Sequence, residues 1–401
     1  MKNKWLMFVA LAGLSWGTYI PLVAYGGAEL GEKVPSRLLA VLCLGVAYFL
    51  IGVLYPAFYL LRLPATDRPE RSFTGLVFSG LAGAAGALGA ICVIFATSAA
   101  VKAAGGSGDY KLFIAPLIFG LAPVINTLVS TVWHPRKSQP LHFGWHSPNR
   151  LLWVGILMVG LGAALVLYSK GLAEAKPVAA KAANTKAAEA KAPASVGETL
   201  AEGYAGQNPW LLFVTLAGLA WGTYVPLIFY GGSELGGKPS SRLLAILCVG
   251  IAYFVIAVIF PAVYLSMTPA EQQPRWGSVT GLAFSGLAGA AGAVGAICVI
   301  FATKSAIEAA KVEGRPPATY KLYIAPLIFG LAPVITTVVS VFWHPEEGNP
   351  FRFGVLVPHW TLWLGIVLVG SGAALVLYSK ELTEASPAPA PPPGIPAEAK
   401  P

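Results

Sequence analysis

The chain has 401 residues, of which 56% are hydrophobic and only 11% charged, with a mean hydropathy of +0.68 and a formal net charge of +9. A soluble domain carries about 25% charged residues, so this chain has too little charge to cover a water-facing surface. The excess of Lys and Arg sits between long apolar runs, which favours cytoplasmic membrane loops over a nucleic-acid-binding surface.

The first copy of a repeated unit holds five apolar runs: Trp5–Tyr25, Leu38–Leu61, Phe73–Ala96, Leu112–Trp133 and Leu151–Tyr168. Each approaches or exceeds the ~20 residues that span hydrocarbon as a helix. Lipid offers no partner for free backbone groups, so the runs are expected to be helical. The alternation that would mark a membrane barrel is absent. Lys2 and Lys4 before the first run resemble the start of a signal peptide. The same run returns internally from Trp210, so it is expected to be retained as a helix.

A second copy follows, with runs Trp210–Tyr230, Leu243–Leu265, Val279–Ala302, Leu322–Trp343 and Leu362–Tyr378. The repeat is plain in the residues. Trp16-Gly17-Thr18-Tyr19 returns as Trp221-Gly222-Thr223-Tyr224. The stretch IAPLIFGLAPVI from Ile114 returns unchanged from Ile324, and GAALVLYSK from Gly162 returns from Gly372. These boundaries predict a first five-helix repeat over 1–170, an Ala/Lys-rich flexible linker over 171–208, a second repeat over 209–382 and a Pro/Ala-rich disordered tail over 383–401.

Five is an odd number, so the copies must insert upside down relative to each other if both span the membrane. The charges lean that way. Loop 2–3 falls from Arg62, Arg68 and Arg71 to Arg275 alone. Loop 4–5 falls from Arg136, Lys137 and Arg150 to Arg352, now beside Glu346 and Glu347. Loop 3–4 rises from Lys102 and Lys111 to Lys304, Lys311, Arg315 and Lys321. The positive-inside rule then places both termini in the cytoplasm and the linker outside, in an inner cell membrane. The linker's own lysines pull against this assignment. The fold class expected is an all-α membrane protein of ten transmembrane helices, built as two inverted five-helix repeats.

The end of the third run (Phe95-Ala96-Thr97-Ser98-Ala99), PLIFGLAPVINTLVS from Pro116 and GILMVGLGAALVLYS from Gly155 together resemble the helix 3–5 stretch of the drug/metabolite transporter superfamily. The tryptophan-rich first run is closest in flavour to its sugar-uptake branch. The resemblance covers both copies apart from linker and tail. It implies a 5+5 transporter fold and alternating access about a central site. Many members carry an acidic residue after the fourth helix; this chain has Trp133-His134-Pro135 and Trp343-His344-Pro345.

Candidate site residues follow from depth. Trp16 lies twelve residues beyond Lys4, about 18 Å at 1.5 Å per residue, near the centre of a ~30 Å core. Thr18 and Tyr19 lie just beyond, and Pro21 bends the helix and frees a carbonyl. The equivalents are Trp221, Thr223, Tyr224 and Pro226. Aromatic faces stack on sugars or bases while hydroxyls orient them; alternatively Trp16 faces lipid. Tyr48 and Tyr253 sit midway along the second run and want a hydrogen-bond partner, either substrate or a backbone carbonyl. Asn126, replaced by Thr336 in the second copy, either polarises one side of a cavity or joins helices. The glycines of the third run read as close helix packing. Glu29 and Glu234 reach the interface as solvated loop charges, or as anchors beside Lys33 and Arg37 and their equivalents.

Function classes narrow accordingly. No Asp or Glu lies mid-helix, which disfavours proton coupling through a membrane carboxylate and the export of cationic drugs. Cys43, Cys92, Cys248 and Cys298 are far apart inside apolar runs and read as small hydrophobes, so no metal site, no cofactor and no enzyme are expected. The expectation is a transporter or facilitator for a small neutral or weakly polar metabolite, sugars first. The alternative is a non-transporting scaffold or sensor. The partners expected are that small-molecule substrate and the lipid bilayer, with no nucleic acid, and the chain is expected as a monomer or homodimer.

Overall fold

The computed structural model describes residues 4–31, 33–103, 111–145, 150–182, 209–314, 324–355 and 357–385. Among these residues ten long helices account for the ten runs. In the first copy they are α1 (Lys4–Leu30), α2 (Val34–Leu61), α3 (Phe73–Ala103), α4 (Lys111–Val132) and α5 (Arg150–Ala182). In the second they are α6 (Pro209–Glu234), α7 (Pro239–Ser266), α8 (Val279–Val312), α9 (Ile324–Phe342) and α10 (Trp360–Ala385). Nine of the helices are long and apolar enough to cross a membrane among the described residues, and α9 adds a shorter apolar stretch, Leu327–Phe342. Their outer faces carry large exposed apolar side chains such as Leu54, Phe58, Leu157 and Val263. Water would not tolerate so much exposed apolar surface. The protein is an all-α, membrane-embedded chain.

Helix α5 continues to Ala182, past the boundary expected at residue 170, and α10 continues to Ala385. Alanine-rich sequence holds helix readily, so the helices outrun their apolar cores. Of the expected linker, residues 183–208 lie outside the described residues, as do 386–401 of the expected tail.

The copies interleave. Helix α1 packs chiefly on α8 and α9 of the other copy, and α6 chiefly on α3 and α4. Helix α2 likewise packs on α8, and α7 on α3. The result is two mixed bodies, α1-α2-α8-α9 and α6-α7-α3-α4. Glycine makes the approaches close. A Cβ on Gly17 would lie 2.6 Å from Ile335, and one on Gly222 would lie 2.6 Å from Ile125. Without hydrophobic drive between helices in lipid, such contact area holds the bundle together.

Equivalent helices pair antiparallel. Gly155 of α5 meets Gly372 and Val376 of α10, while Gly162 meets Gly365 and Val369. Gly45 of α2 meets Ala257 of α7, while Gly250 meets Gly52 and Val53. Near that crossing both helices widen into a π turn, Leu50–Leu54 and Phe254–Ile259, just ahead of Pro56 and Pro261. Proline cannot bond four residues back and its ring crowds that carbonyl; the wider turn relieves the crowding.

Each mixed body is clamped at one end. Glu29 and Glu234, expected as solvated loop charges, are buried instead. The Glu29 carboxylate accepts a hydrogen bond from Gly348 N–H at 2.7 Å and another from the Tyr25 hydroxyl at 2.7 Å. Glu234 accepts one from Ser138 N–H at 2.6 Å. Gly348 and Ser138 sit at the tips of hairpin-like turns after α9 and α4, closed by the Trp343–Phe353 and Trp133–Phe143 bridges. Position past the end of an apolar run therefore misjudged burial, because the other copy's turn folds over the carboxylate.

Candidate functional site

Where α2 crosses α7, Tyr48 and Tyr253 stack face to face, their ring centroids 4.0 Å apart and their planes 3° from parallel. Around this pair stand Trp16 and Tyr19 from α1, Trp221 and Tyr224 from α6, and Phe119 and Phe329 from α4 and α9. Together with Gly86, Gly292, Leu44, Val225 and Ala296 they enclose a cavity of about 90 Å³ between the two mixed bodies. Among the described residues no charged side chain lines it.

Local sequence explains how the rings are held. The Trp16 indole N–H donates to the Gly292 carbonyl at 3.3 Å, and Trp221 donates to the Gly86 carbonyl at 3.3 Å. One turn along α8 and α3, a Cβ on Gly295 or Gly89 would lie 2.3 Å from the respective indole. These glycines are seats for tryptophan as well as helix contacts. Trp16 meets Phe329 edge-on at 5.7 Å, Trp221 lies 6.0 Å from Phe119, and Tyr19 meets Trp221 at 5.9 Å. The Tyr48 and Tyr224 hydroxyls interact with each other. The Tyr19 hydroxyl is buried and has no hydrogen-bond partner among the described residues.

Of the residues expected at the site, Trp16, Tyr19, Tyr48, Trp221, Tyr224 and Tyr253 converge on this cavity. Thr18 and Thr223 do not line it; their hydroxyls donate to carbonyls of their own helices, those of Leu14 and Leu219, at 2.9 Å each. Asn126 is buried and also lies off the lining. Its counterpart Thr336 donates to the Gly17 carbonyl at 2.6 Å, the very carbonyl that Pro21 leaves without a helical donor. That station joins helices. Phe119 and Phe329 were not singled out from the sequence, and Gly86 and Gly292 were read there only as helix-packing glycines; their place in repeated segments was the available signal.

A second cavity of about 310 Å³ adjoins the first and shares Trp16, Tyr224, Val225, Ala296 and Phe329 with it. This vestibule runs between α6-α7 and α8-α9 to Ser233, Gly237 and Arg242, beside the exposed Phe229. The equivalent path in the first copy is shut. Val225, Ile228, Val299, Ala325 and Phe329 are half-buried, whereas their equivalents Ile20, Val23, Val93, Ala115 and Phe119 are buried. Helix α1 packs on α3 and α4 of its own copy, and among the described residues α6 has at most marginal contact with α8 and α9. At the shut mouth the Arg37 guanidinium lies over the Phe95 ring at 5.3 Å.

Comparison with protein families, with curated proteins and with solved structures gave no match to this chain. Among the described residues no group of three or more His, Cys, Asp or Glu is placed to hold a metal.

Proposed function

We propose that the protein is a secondary transporter or facilitator that moves a small, neutral or weakly polar metabolite by alternating access, in the manner of the drug/metabolite transporters its sequence resembles. One observation carries the reading. Two halves of nearly the same sequence surround one aromatic cavity, yet the path beside one half is open and the equivalent path beside the other is packed shut. Near-identical sequences have near-equal energies in the exchanged conformation, so the mirror arrangement, with the mouths swapped, is accessible to the same chain.

The copies are an inverted repeat in this reading. The antiparallel pairing of equivalent helices, α5 with α10 and α2 with α7, supports it. So do the loop charges, which put the open mouth at Lys238 and Arg242 on the cytoplasmic side. The cage of indole and phenol rings suits a sugar-sized body stacked between aromatic faces, and the unpartnered Tyr19 hydroxyl supplies one orienting group. A scaffold has no need of such a cavity.

The test is uptake into proteoliposomes of a panel of sugars and nucleosides. Trp16→Ala and Trp221→Ala should each lower flux of the transported solute by tenfold or more, about 1.4 kcal/mol of lost contact. Flux equal to wild type in both variants would remove the aromatic cage as the site.

A further inference from the structure

We infer that Arg242 makes the open vestibule an anion-capturing subsite, so that the solute is a sugar-sized body bearing one carboxylate or phosphate group. The inference rests on the transport reading but replaces its neutral solute with an acidic one. Among the described residues lining the cage and vestibule, Arg242 is the one with a charged side chain. It is half-buried in a wall made otherwise of Ile, Val, aromatic and small residues, and its guanidinium has no carboxylate or carbonyl partner among the described residues. Guanidinium is a rigid fork of donors that matches carboxylate and phosphate two bonds at a time. A half-buried cation in apolar surroundings is costly unless an anion meets it. The first turn of α7 adds its positive end: Arg242 lies three residues past Pro239, where that helix begins.

The shut mouth shows what the same station does when no anion can enter. Arg37 is the equivalent of Arg242, and it lies over Phe95 of α3, from the opposing mixed body. The arginine at a closed mouth is thus occupied by the protein itself, and the arginine at an open mouth faces the vestibule. Capture is offered on whichever side is open. Thr303 and Ser233 in the same vestibule wall donate to the Val299 and Tyr230 carbonyls of their own helices, which leaves their hydroxyl oxygens to accept from a sugar ring. The solute's uncharged face then meets the rings of Trp16 and Phe329, which border both cavities.

Three probes with one body and three charges test this: glucuronate, glucose and glucosamine. The full chain is reconstituted in phosphatidylcholine vesicles for uptake, and binding is read in detergent by quenching of tryptophan fluorescence. Wild type should favour glucuronate over glucose by about tenfold, as one charge-assisted bidentate contact gives, with glucosamine last. Arg242→Gln should bring the glucuronate-to-glucose ratio to about one, and Arg242→Lys should restore part of it. Lys238→Gln, one turn away and bonded to the Thr66 carbonyl, should keep the wild-type ratio. A ratio near one in wild type, or one unchanged by Arg242→Gln, overturns the subsite while leaving transport of glucose to stand on its own. Binding of glucuronate that depends on Arg242, without flux of any probe, upholds the subsite and overturns the transport reading. Neither binding nor flux overturns both.

Discussion

The Tyr19 hydroxyl is the plainest cost in the cage, because a buried polar group without a partner is destabilising by about 1–3 kcal/mol. Tyr19→Phe should therefore raise the melting temperature or leave it unchanged, while raising the KM for the transported solute several-fold. A variant that loses stability instead would mean that the hydroxyl has a structural partner. The indole seats give a second test. Gly295→Ala places a methyl 2.3 Å from Trp16 and should cost about 1–3 kcal/mol by overpacking, with loss of flux. Gly286→Ala, on the same helix with nothing within 4 Å of its added Cβ, should be silent. The aromatic lining of this cavity was legible in the sequence, because an aromatic that recurs at mid-depth in both copies has few places to go. The threonines were not sorted correctly. Thr18 lies two residues from Trp16, so it projects from nearly the opposite side of the helix, whereas Tyr19, three residues on, shares the tryptophan's face. Asn126 lies on the right helix but off the lining, and at the equivalent station of the second copy Thr336 bonds the carbonyl freed by Pro21.

At the scale of elements, the two end clamps carry a compensated exchange. Glu70 pairs with Lys137 at 3.1 Å in the first copy; their equivalents Arg275 and Glu347 pair with the charges reversed. Both pairs are exposed, so each contributes little, about 0–1 kcal/mol. Glu70→Arg should lower stability by no more than that, and the double variant Glu70→Arg with Lys137→Glu should recover it, as read by thermal melts of a double-mutant cycle. The buried carboxylates matter more. Glu234→Ala leaves the Ser138 N–H without its acceptor and should cost about 1–3 kcal/mol. The helices themselves were legible, all ten of them, from apolar length alone. Their partners were not. Nothing in the order of the runs says that α1 would leave its own copy for α8, because the glycines that allow it recur identically in α3.

For the whole molecule, the decisive property is a difference between halves that the sequence does not write. The residues along the two paths are nearly the same, yet one set is buried and the other lines a vestibule. Which of the two paths is open cannot be read from either copy by itself. The inversion has a direct test in a background with Cys43, Cys92, Cys248 and Cys298 replaced by serine. Single cysteines at Arg68 and at Arg275, in equivalent loops, should react with a membrane-impermeant maleimide from opposite faces of sealed vesicles. Labelling of both from one face would show that the copies are parallel.

The interleaving of α1 with α8 also bears on how the chain is made. The first five helices leave the ribosome before their main partners exist, since the nearest of those, α6, starts at Pro209. Until then the small-residue face of α3 and the glycines of α1 have no surface to close upon, and final packing waits for the second half. Synthesis therefore passes through a long-lived, half-built stage rich in non-local contacts still to be made. A gene divided within 183–208 should yield two fragments that are degraded when expressed singly and assemble when expressed together. Quality control in the cell would then spare the pair of halves and never one alone.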